Sequence, residues 1–335
     1  MKLGEIGEFG LIRRFSPRFL RGLPPGAMGI GDDCAILPWI GSRRLLVTTD
    51  MLVEGTHFLR AKISARDLGY KSLAVNLSDI AAMGGRPTAA FLSLGIPGDV
   101  DVAWLDSFFA GLQGLARRER VPLLGGDTTR SSGPLVINLA VLGEAKVGRI
   151  KLRSGARPGD AIYVTGPLGD SGGGLRIILA GRPRNRDEAA LVRSHSRPRA
   201  HLAEGAWLAG RAAVMAMMDV SDGIDSDLRR IMERSGCGAA VDLDALPVSG
   251  PLRRTALRRG WKVRELAAAG GEDYCLLAAV RKDRAAAVAR GFARAFSRPL
   301  VRIGTVTRAG DGLRYFSGGE RAELARRGFD HFKRG

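Results

Sequence analysis

The sequence predicts an α/β protein with mixed sheets, divided into two α/β domains. Three observations lead to this prediction. The first half alternates apolar, β-branched runs with helical patterns, and a polar, basic connection containing glycines follows at residues 146–160. Beyond it, strand, loop and helix patterns repeat along the chain. We therefore expect an N-terminal domain over residues 1–147 and a C-terminal domain over residues 148–335.

The N-terminal half begins with a short predicted helix at residues 5–22. A second, amphipathic helix is predicted at residues 99–121, because its apolar residues recur every three or four positions. Runs rich in β-branched and apolar residues predict strands between and after the helices. These strands are the run that ends at Trp39, then Arg44–Asp50, Thr88–Pro97, Pro122–Arg130 and residues 134–145.

The C-terminal half begins with a predicted strand at Ala161–Gly166, which leads into a glycine-rich loop and a helix. Residues 182–200 are predicted to form a polar excursion. A further strand ends at Asp219 and precedes a helix, and Glu265–Val280 is predicted to be a loop followed by a strand.

One predicted helix, over Asp67–Pro87, carries an unusual polar stripe. Ser64 and Asp67 have the spacing of a capping box at its start, and two glycines and a proline are expected to end it. Ser72, Asn76 and Asp79 lie at helical spacing within an otherwise apolar sequence. A buried carboxylate needs a partner, and a divalent metal carrying phosphate is one candidate. The alternative is an ordinary solvated face of an amphipathic helix.

Composition restricts the class of protein. The chain has 52 lysines and arginines against 34 acids, a formal net charge of +18. Such a charge is compatible with nucleic-acid binding and also attracts anionic substrates. The arginines are scattered through helices, without a basic block that alternates with aromatics, so we expect no nucleic-acid partner. The absence of an apolar signal-peptide core and of a membrane-length apolar run predicts a cytoplasmic protein.

Acidic residues recur after apolar runs, in turns and on one helix. Taken singly, each is typical of a turn or a helix cap. Together they predict a magnesium site, because converging carboxylates repel one another and Mg²⁺ prefers hard oxygen ligands. Thr48 and Thr49 could add hydroxyl oxygens. The acids are Asp32, Asp33, Asp50, Asp79, Asp127, Asp219 and Asp222.

The signals for nucleotide binding are weaker. The sequence contains neither a P-loop nor the motif set of protein kinases. The glycine-rich loop Gly166–Gly174 enters a predicted helix and could hold an anion with its backbone N–H groups. Gly125 and Gly126 precede Asp127 and could allow close approach of a phosphate group to the backbone.

A series of longer motifs makes a family resemblance specific. GIGDDCA, TTDMLVEGTHF, YKSLAVNLSDIAAMGGRP, GGDTTR, YVTGPLGDS, DVSDG, GGEDY and GFDHF occur in this order. Together they resemble thiamine-monophosphate kinase, a member of the ATP-binding superfamily that includes aminoimidazole-ribonucleotide synthetase and selenophosphate synthetase. The resemblance covers residues from about Gly7 to Phe332. It departs from the usual pattern at Cys275, where glutamate is common, and in the DSGGG segment.

The resemblance implies transfer of the γ-phosphoryl group of ATP to thiamine monophosphate, with Mg²⁺ as cofactor. It implies a homodimer that pairs through its N-terminal domains, which also bind ATP and Mg²⁺, with ATP at the cleft between domains. The implied ATP contacts are Gly126, Asp127, Arg153 and Ser221, and the implied substrate contacts are His57, Glu272 and Phe329. The implied metal ligands are Asp33, Thr48, Thr49, Asp50, Asp79, Asp127, Asp219 and Asp222, of which Asp50, Asp127 and Asp222 would also be catalytic.

Two alternatives remain open from the sequence. The first is a sister enzyme of the same superfamily that uses ATP on another substrate. The second is a basic nucleic-acid-binding protein without enzymatic activity.

Overall fold

The computed structural model describes residues 3–324, and Phe329 lies outside these residues. The first sheet is built from the N-terminal half of the chain. Its elements, in chain order, are α1 (Leu3–Phe19), β1 (Ala35–Pro38), β2 (Arg43–Val53), α2 (Ala65–Ala82), β3 (Arg86–Ile96), α3 (Val102–Glu119), β4 (Leu123–Arg130) and β5 (Val136–Lys146). The strand order is β1-β2-β5-β3-β4, and only β3 and β4 pair in parallel.

The second sheet is built from the rest of the described chain. Its elements are β6 (Ala161–Val164), α4 (Asp170–Ala180), α5 (Arg186–Ser196), α6 (Leu202–Ala209), β7 (Val214–Asp219), α7 (Ile224–Ser235), β8 (Cys237–Asp242), α8 (Gly250–Arg259), α9 (Val263–Ala269), β9 (Leu276–Val280), α10 (Ala285–Phe296), β10 (Val301–Arg308), β11 (Leu313–Ser317) and β12 (Glu320–Ala322). The strand order is β12-β11-β8-β10-β6-β9-β7, with β8 and β11 parallel. Two mixed sheets with helices confirm the predicted fold class.

Helix α2 is buried on nearly all sides. Ser64 caps it as predicted, because its side chain accepts a hydrogen bond from the backbone N–H of Asp67. The helix ends earlier than predicted: Met83 is its C-cap, and Pro87 already belongs to β3. One side packs on the N-terminal sheet and α3, and another contacts α6 and β7 of the C-terminal half. A helix with neighbours on all sides carries apolar residues all round.

The contact between α2 and α6 is very close. A Cβ atom at Gly205 of α6 would lie 2.1 Å from the carbonyl oxygen of Ala81, so only glycine fits there. The connection between the sheets is also anchored, because Lys151 is buried and its Nζ donates to the carbonyl oxygens of Val214 and Arg211 at 2.8 and 3.1 Å. The aspartates borne by the two halves are therefore held close to one another.

Three predicted segments differ from the structure. Residues 182–200 include α5, whose first turn is capped by Asn185, so the segment is not merely a polar excursion. The start of Glu265–Val280, predicted as loop, belongs to α9 (Val263–Ala269), since its alanines favour a helix. The first helix occupies Leu3–Phe19, so it begins two residues earlier and ends three residues earlier than predicted, and Gly7, with a φ of 66°, kinks it. None of the helices within residues 3–324 combines the length and apolar character needed to cross a bilayer.

Candidate active site

Three carboxylates from separate parts of the chain meet at the junction of the two sheets. Asp33 precedes β1, Asp79 lies in the last turn of α2, and Asp219 is the final residue of β7. One carboxylate oxygen from each lies within 4.8 Å of the others. Two of these residues are buried and the third is partly buried. Three of the acids singled out in the sequence, from a loop, a helix and a strand end, therefore lie together in the structure.

Each of the three carboxylates has a fixed neighbour. Thr48 donates its hydroxyl hydrogen to Asp79, and Ser78 donates to Asp219 with an oxygen–oxygen distance of 2.6 Å. The guanidinium of Arg153 lies 2.7 Å from one oxygen of Asp33. The other oxygen of Asp33 is buried and accepts no hydrogen bond within residues 3–324. Such an orphaned acceptor fits a cation, because a buried polar atom without a partner is costly.

The pKa values of the clustered carboxylates also favour a bound cation. Burial, followed by repulsion from neighbouring aspartates, raises the pKa of Asp79 well above its usual value. Burial and the charge of Asp33 raise the pKa of Asp219 to about 7, and burial and the charge of Asp222 raise the pKa of Asp50 to about 6. Several partly ionised carboxylates at one place require protons or cations to balance them.

Asp50 and Asp222 lie beside this cluster. The side-chain oxygen of Asn76 accepts a hydrogen bond from the backbone N–H of Asp50 at 3.1 Å, which fixes the end of the TTD run against α2. The backbone N–H of Asp222 donates to Asp227 at 3.2 Å. Asp227 is itself buried, and burial and repulsion from Asp222 raise its pKa well above the usual value. The sequence analysis did not single out Asp227, which lies four residues after the DVSDG motif.

Thr49 and Asp127 lie on the opposite face of the N-terminal sheet. Alternate residues of a strand point to opposite faces, and Thr48 is buried toward α2 while Thr49 is exposed. Thr49 accepts a hydrogen bond from Asn138 on that outer face. Asp127 is exposed on β4, where it pairs with Ser93. The described chain therefore does not bring these two side chains into the Asp33–Asp79–Asp219 cluster.

The predicted ATP contacts are divided between the two halves. Gly126 lies in the edge strand β4, and a Cβ there would lie 1.6 Å from the carbonyl oxygen of Leu92, so only glycine fits. Arg153 lies in the connection between the sheets, and its backbone N–H donates to Asp32 at 2.7 Å. The carboxylate of Asp32 is therefore bound to the segment that connects the two sheets. Ser221 follows β7, and its carbonyl oxygen accepts a hydrogen bond from the backbone N–H of Glu272.

The predicted substrate contacts Glu272 and His57 lie near one another. Nδ1 of His57 accepts a hydrogen bond from the backbone N–H of Val53 at 3.0 Å, which fixes the ring. Lys71 and His195, which the sequence analysis did not identify, contact the two oxygens of Glu272 at 2.8 and 3.1 Å. Although burial opposes it, the positive charge of Lys71 is the main influence that lowers the pKa of Glu272. Lys71 could have been identified from the sequence, because it is a charged residue within an otherwise apolar helix.

The glycine-rich loop before α4 already holds an anion of the protein itself. The carboxylate of Asp273 accepts hydrogen bonds from the backbone N–H groups of Gly169 and Ser171 at 2.6 and 3.3 Å. Burial raises the pKa of Asp273 to about 8, against the effect of these hydrogen bonds. Two of the backbone donors expected to bind a ligand therefore bind a neighbouring loop instead.

The chain folds into two mixed sheets with helices, and a cluster of carboxylates suited to binding cations lies where they meet. This arrangement defines the chain as a two-domain protein of the AIR synthase related class. The model of the AIR synthase related protein N-terminal domain matches residues 31–145, and that of the C-terminal domain matches residues 157–315. Thiamine-monophosphate kinase of Escherichia coli O157:H7 is 42% identical, over 97% of this chain and 98% of its own. The chain belongs to the thiamine-monophosphate kinase family.

Solved structures agree with this assignment. AaThiL complexed with AMPPCP and TMP is similar with a TM-score of 0.86 and 33% identity, over 99% of both chains. Thiamine-monophosphate kinase from Stenotrophomonas maltophilia K279a is similar with a TM-score of 0.75 and 37% identity, over 94% of this chain and 98% of that one. The similarity extends through both sheets, so the resemblance seen in the motifs is confirmed over almost the whole chain.

Proposed function

We propose that this protein transfers the γ-phosphoryl group of ATP to thiamine monophosphate, giving thiamine diphosphate and ADP. The observation that carries the proposal is the meeting of Asp33, Asp79 and Asp219 in a chain so similar to thiamine-monophosphate kinases. A similar structure holds AMPPCP, an analogue of ATP, together with TMP. The acidic cluster supplies what two polyanionic substrates require, which is a place for cations between them.

Mg²⁺ fits this cluster. The donors are carboxylate and hydroxyl oxygens, which Mg²⁺ prefers, and the buried second oxygen of Asp33 has no other partner within the described part of the chain. We propose that the ligands on the inner face are Asp33, Thr48, Asp50, Asp79, Asp219 and Asp222. When bound, Mg²⁺ would neutralise charge on the transferring phosphoryl group.

The remaining residues of the proposed site bind and orient ATP and thiamine monophosphate. The acceptor is a phosphate oxygen, and a phosphate monoester is largely ionised at neutral pH because its second pKa is about 6. The protein therefore needs no general base and acts by holding donor and acceptor in line for direct transfer. Arg153 is fixed by Asp33 and keeps a buried Nε without a hydrogen bond among residues 3–324, which leaves it able to contact ATP. Gly126 and Ser221 are the further proposed ATP contacts.

The substrate side of the site is formed by His57 and Glu272, with Phe329 as a further proposed contact beyond the described residues. Thiamine carries a positive thiazolium ring and an amino group, and a carboxylate binds both. The side chain of Glu272 is 28% exposed, so part of it faces the solvent-accessible site. This arrangement assigns recognition of the thiamine moiety to Glu272 and recognition of phosphate to the acidic cluster with its cations.

We propose that the protein acts as a homodimer that pairs through the outer face of the N-terminal sheet. Strand β4 is exposed along its whole length and is an unpaired edge, and Met51, Phe91 and Leu124 expose apolar side chains on or next to this face. Thr49 and Asp127 share the outer face but lie three strands apart, a distance of about 14 Å. One ion can bind both residues only if Asp127 comes from a second copy.

Mixing of inactive variants tests the shared site. Asp50→Asn and Asp127→Asn are each expected to abolish turnover, while their co-expression restores about a quarter of wild-type activity, since half of the dimers are mixed and each has one intact site. No recovery on mixing, with dimers confirmed by light scattering, would contradict a site shared between copies.

We also propose domain limits of residues 1–147 and 148–335 and a cytoplasmic location.

The direct test of function is an assay of the purified protein with ATP, Mg²⁺ and thiamine monophosphate. Chromatography should show thiamine diphosphate and ADP forming in equal amounts, and Asp79→Asn should abolish both because it removes a central carboxylate. Hydrolysis of ATP without formation of the diphosphate, or equal rates with and without thiamine monophosphate, would contradict the proposal.

A further inference from the structure

Lys71 is a charged residue buried at the centre of the molecule. It lies on α2 among apolar residues, and its side chain is only 1% exposed. A buried ammonium group is costly unless an opposite charge balances it. The balancing charge is Glu272 of the C-terminal half, whose Oε1 lies 2.8 Å from Nζ of Lys71. The ion pair therefore joins the helix that bears the metal-site residues to the proposed substrate-binding carboxylate.

A second side chain holds the other oxygen of Glu272. Nδ1 of His195, on α5, lies 3.1 Å from Oε2 of Glu272 and 3.0 Å from the hydroxyl oxygen of Ser171. A carboxylate only accepts hydrogen bonds, so this contact is favourable only when Nδ1 carries a proton. Burial, with the charge of Lys71, lowers the pKa of His195 to about 4, so the ring is a neutral neighbour of Glu272 at neutral pH. Lys71 and His195 therefore each contact one oxygen of Glu272, whose side chain remains 28% exposed.

The backbone around Glu272 is strained and tightly held. Glu272 has a φ of 53° and Tyr274 a φ of 50°, both in the left-handed region that residues other than glycine rarely adopt. The backbone N–H groups of these residues donate to the carbonyl oxygens of Ser221 and Val220 at 2.6 and 2.8 Å. Strain of this kind persists only where surrounding contacts enforce it, and it is concentrated at functional sites.

From this geometry we propose that Lys71 is a positioning residue for thiamine monophosphate, which keeps Glu272 ionised and oriented toward the thiamine moiety. The inference rests on the proposed function. Lys71 itself is too deeply buried to bind the substrate directly. Its effect on the reaction should therefore pass through Glu272 and concern the thiamine substrate, not ATP.

Removal of the ammonium group of Lys71 should change the protonation of Glu272. In Lys71→Met the partly buried carboxylate of Glu272 loses its main counter-charge, so Lys71 no longer opposes the effect of burial and the pKa of Glu272 rises. The variant should then resemble Glu272→Gln. A hydrogen bond or ion pair to a charged group contributes enough that KM for thiamine monophosphate should rise about tenfold to a hundredfold. KM for ATP should change by less than about twofold.

The experiment compares wild type, Lys71→Met, Glu272→Gln and the double variant by steady-state kinetics with each substrate in turn. The matched control is Lys151→Met, which removes another buried lysine near the junction whose Nζ contacts carbonyl oxygens and not Glu272. We expect the two single changes not to add in the double variant, because both act through one carboxylate. KM for thiamine monophosphate should also rise more with falling pH in Lys71→Met than in the wild type, because loss of the Lys71 charge raises the pKa of Glu272.

Several outcomes would overturn the inference. They are an unchanged KM for thiamine monophosphate in a folded Lys71→Met protein, an equal rise in both KM values, or additive effects in the double variant. If circular dichroism shows that Lys71→Met is unfolded, Lys71→Gln gives the decision by the same criteria, because its amide keeps a donor but not the charge. Failure of the wild-type protein to make thiamine diphosphate would instead overturn the proposed function.

Discussion

Replacement of Asp219 by asparagine should stabilise the metal-free protein at pH 8. Asp219 is only 2% exposed, and burial together with the charge of Asp33 raises its pKa from 3.8 to about 7. A rise of this size corresponds to a cost of about 4 kcal/mol for the ionised group in the folded state. Asparagine cannot ionise, and its side-chain oxygen can still accept the hydrogen bond from Ser78.

The effect should depend on pH in a defined direction. Below pH 3.8 the carboxyl group is protonated in both folded and unfolded chains, so its charge has no effect. As the pH rises from 3.8 to about 7, the unfolded chain loses this proton while the folded chain keeps it, so the cost grows over this range and is complete at pH 8. At pH 5.5 only about 2 kcal/mol of this cost is present, so the gain from Asp219→Asn should be about 2 kcal/mol larger at pH 8.

Urea unfolding in the presence of EDTA at pH 5.5 and pH 8 measures this difference. The control is Asp101→Asn, because Asp101 is exposed and its side chain makes no capping hydrogen bond to α3. Its free energy of unfolding should be unchanged at both pH values. A loss of stability in Asp219→Asn at pH 8, or a gain of the same size at both pH values, would refute the electrostatic account of the cluster.

Three further predictions concern the same site. Mg²⁺ should raise the melting temperature more at pH 8 than at pH 5.5, because protons on Asp50 and Asp219, with pKa values of about 6 and 7, compete with it; equal shifts would count against this. Asp50→Asn should lower turnover at least about a hundredfold at saturating Mg²⁺ with an unchanged circular dichroism spectrum, and wild-type rates would rule out its role. Glu272→Ala should weaken binding of thiamine monophosphate more than of ATP by calorimetry, and the reverse order would reassign Glu272.

The sequence contained much of the fold and part of the site. Ser64 was recognisable as a helix cap because its hydrogen bond is local, to a residue three positions away. The recurrent acids after apolar runs, in turns and on one helix were also visible, and Asp33, Asp79 and Asp219 do converge. The sequence also indicated that the side chains of Thr48 and Thr49 lie on opposite faces of the sheet, because neighbouring residues in a strand point in opposite directions. The expectation that Thr48 and Thr49 both add oxygens to one metal site conflicts with that alternation, which places Thr49 on the exposed face of the sheet.

Other features depend on contacts that sequence spacing does not reveal. Asp273 occupies the backbone donors at Gly169 and Ser171, more than a hundred positions earlier in the chain, so the glycine-rich loop looked available for a ligand. The partner of Lys71 lies about two hundred positions away. The helix α9 was missed because the two glycines that follow it indicated a loop, whereas its alanines favour a helix.

The placement of α2 limits how the molecule can move. From this one helix, Lys71 pairs with Glu272 and Ser78 bonds to Asp219, so two buried polar contacts cross from one half of the chain to the other. Rotation of the halves away from each other would break both contacts and expose a lysine charge next to apolar surface. Substrates should therefore enter and leave through movements of loops and side chains, and both halves should melt in a single cooperative transition.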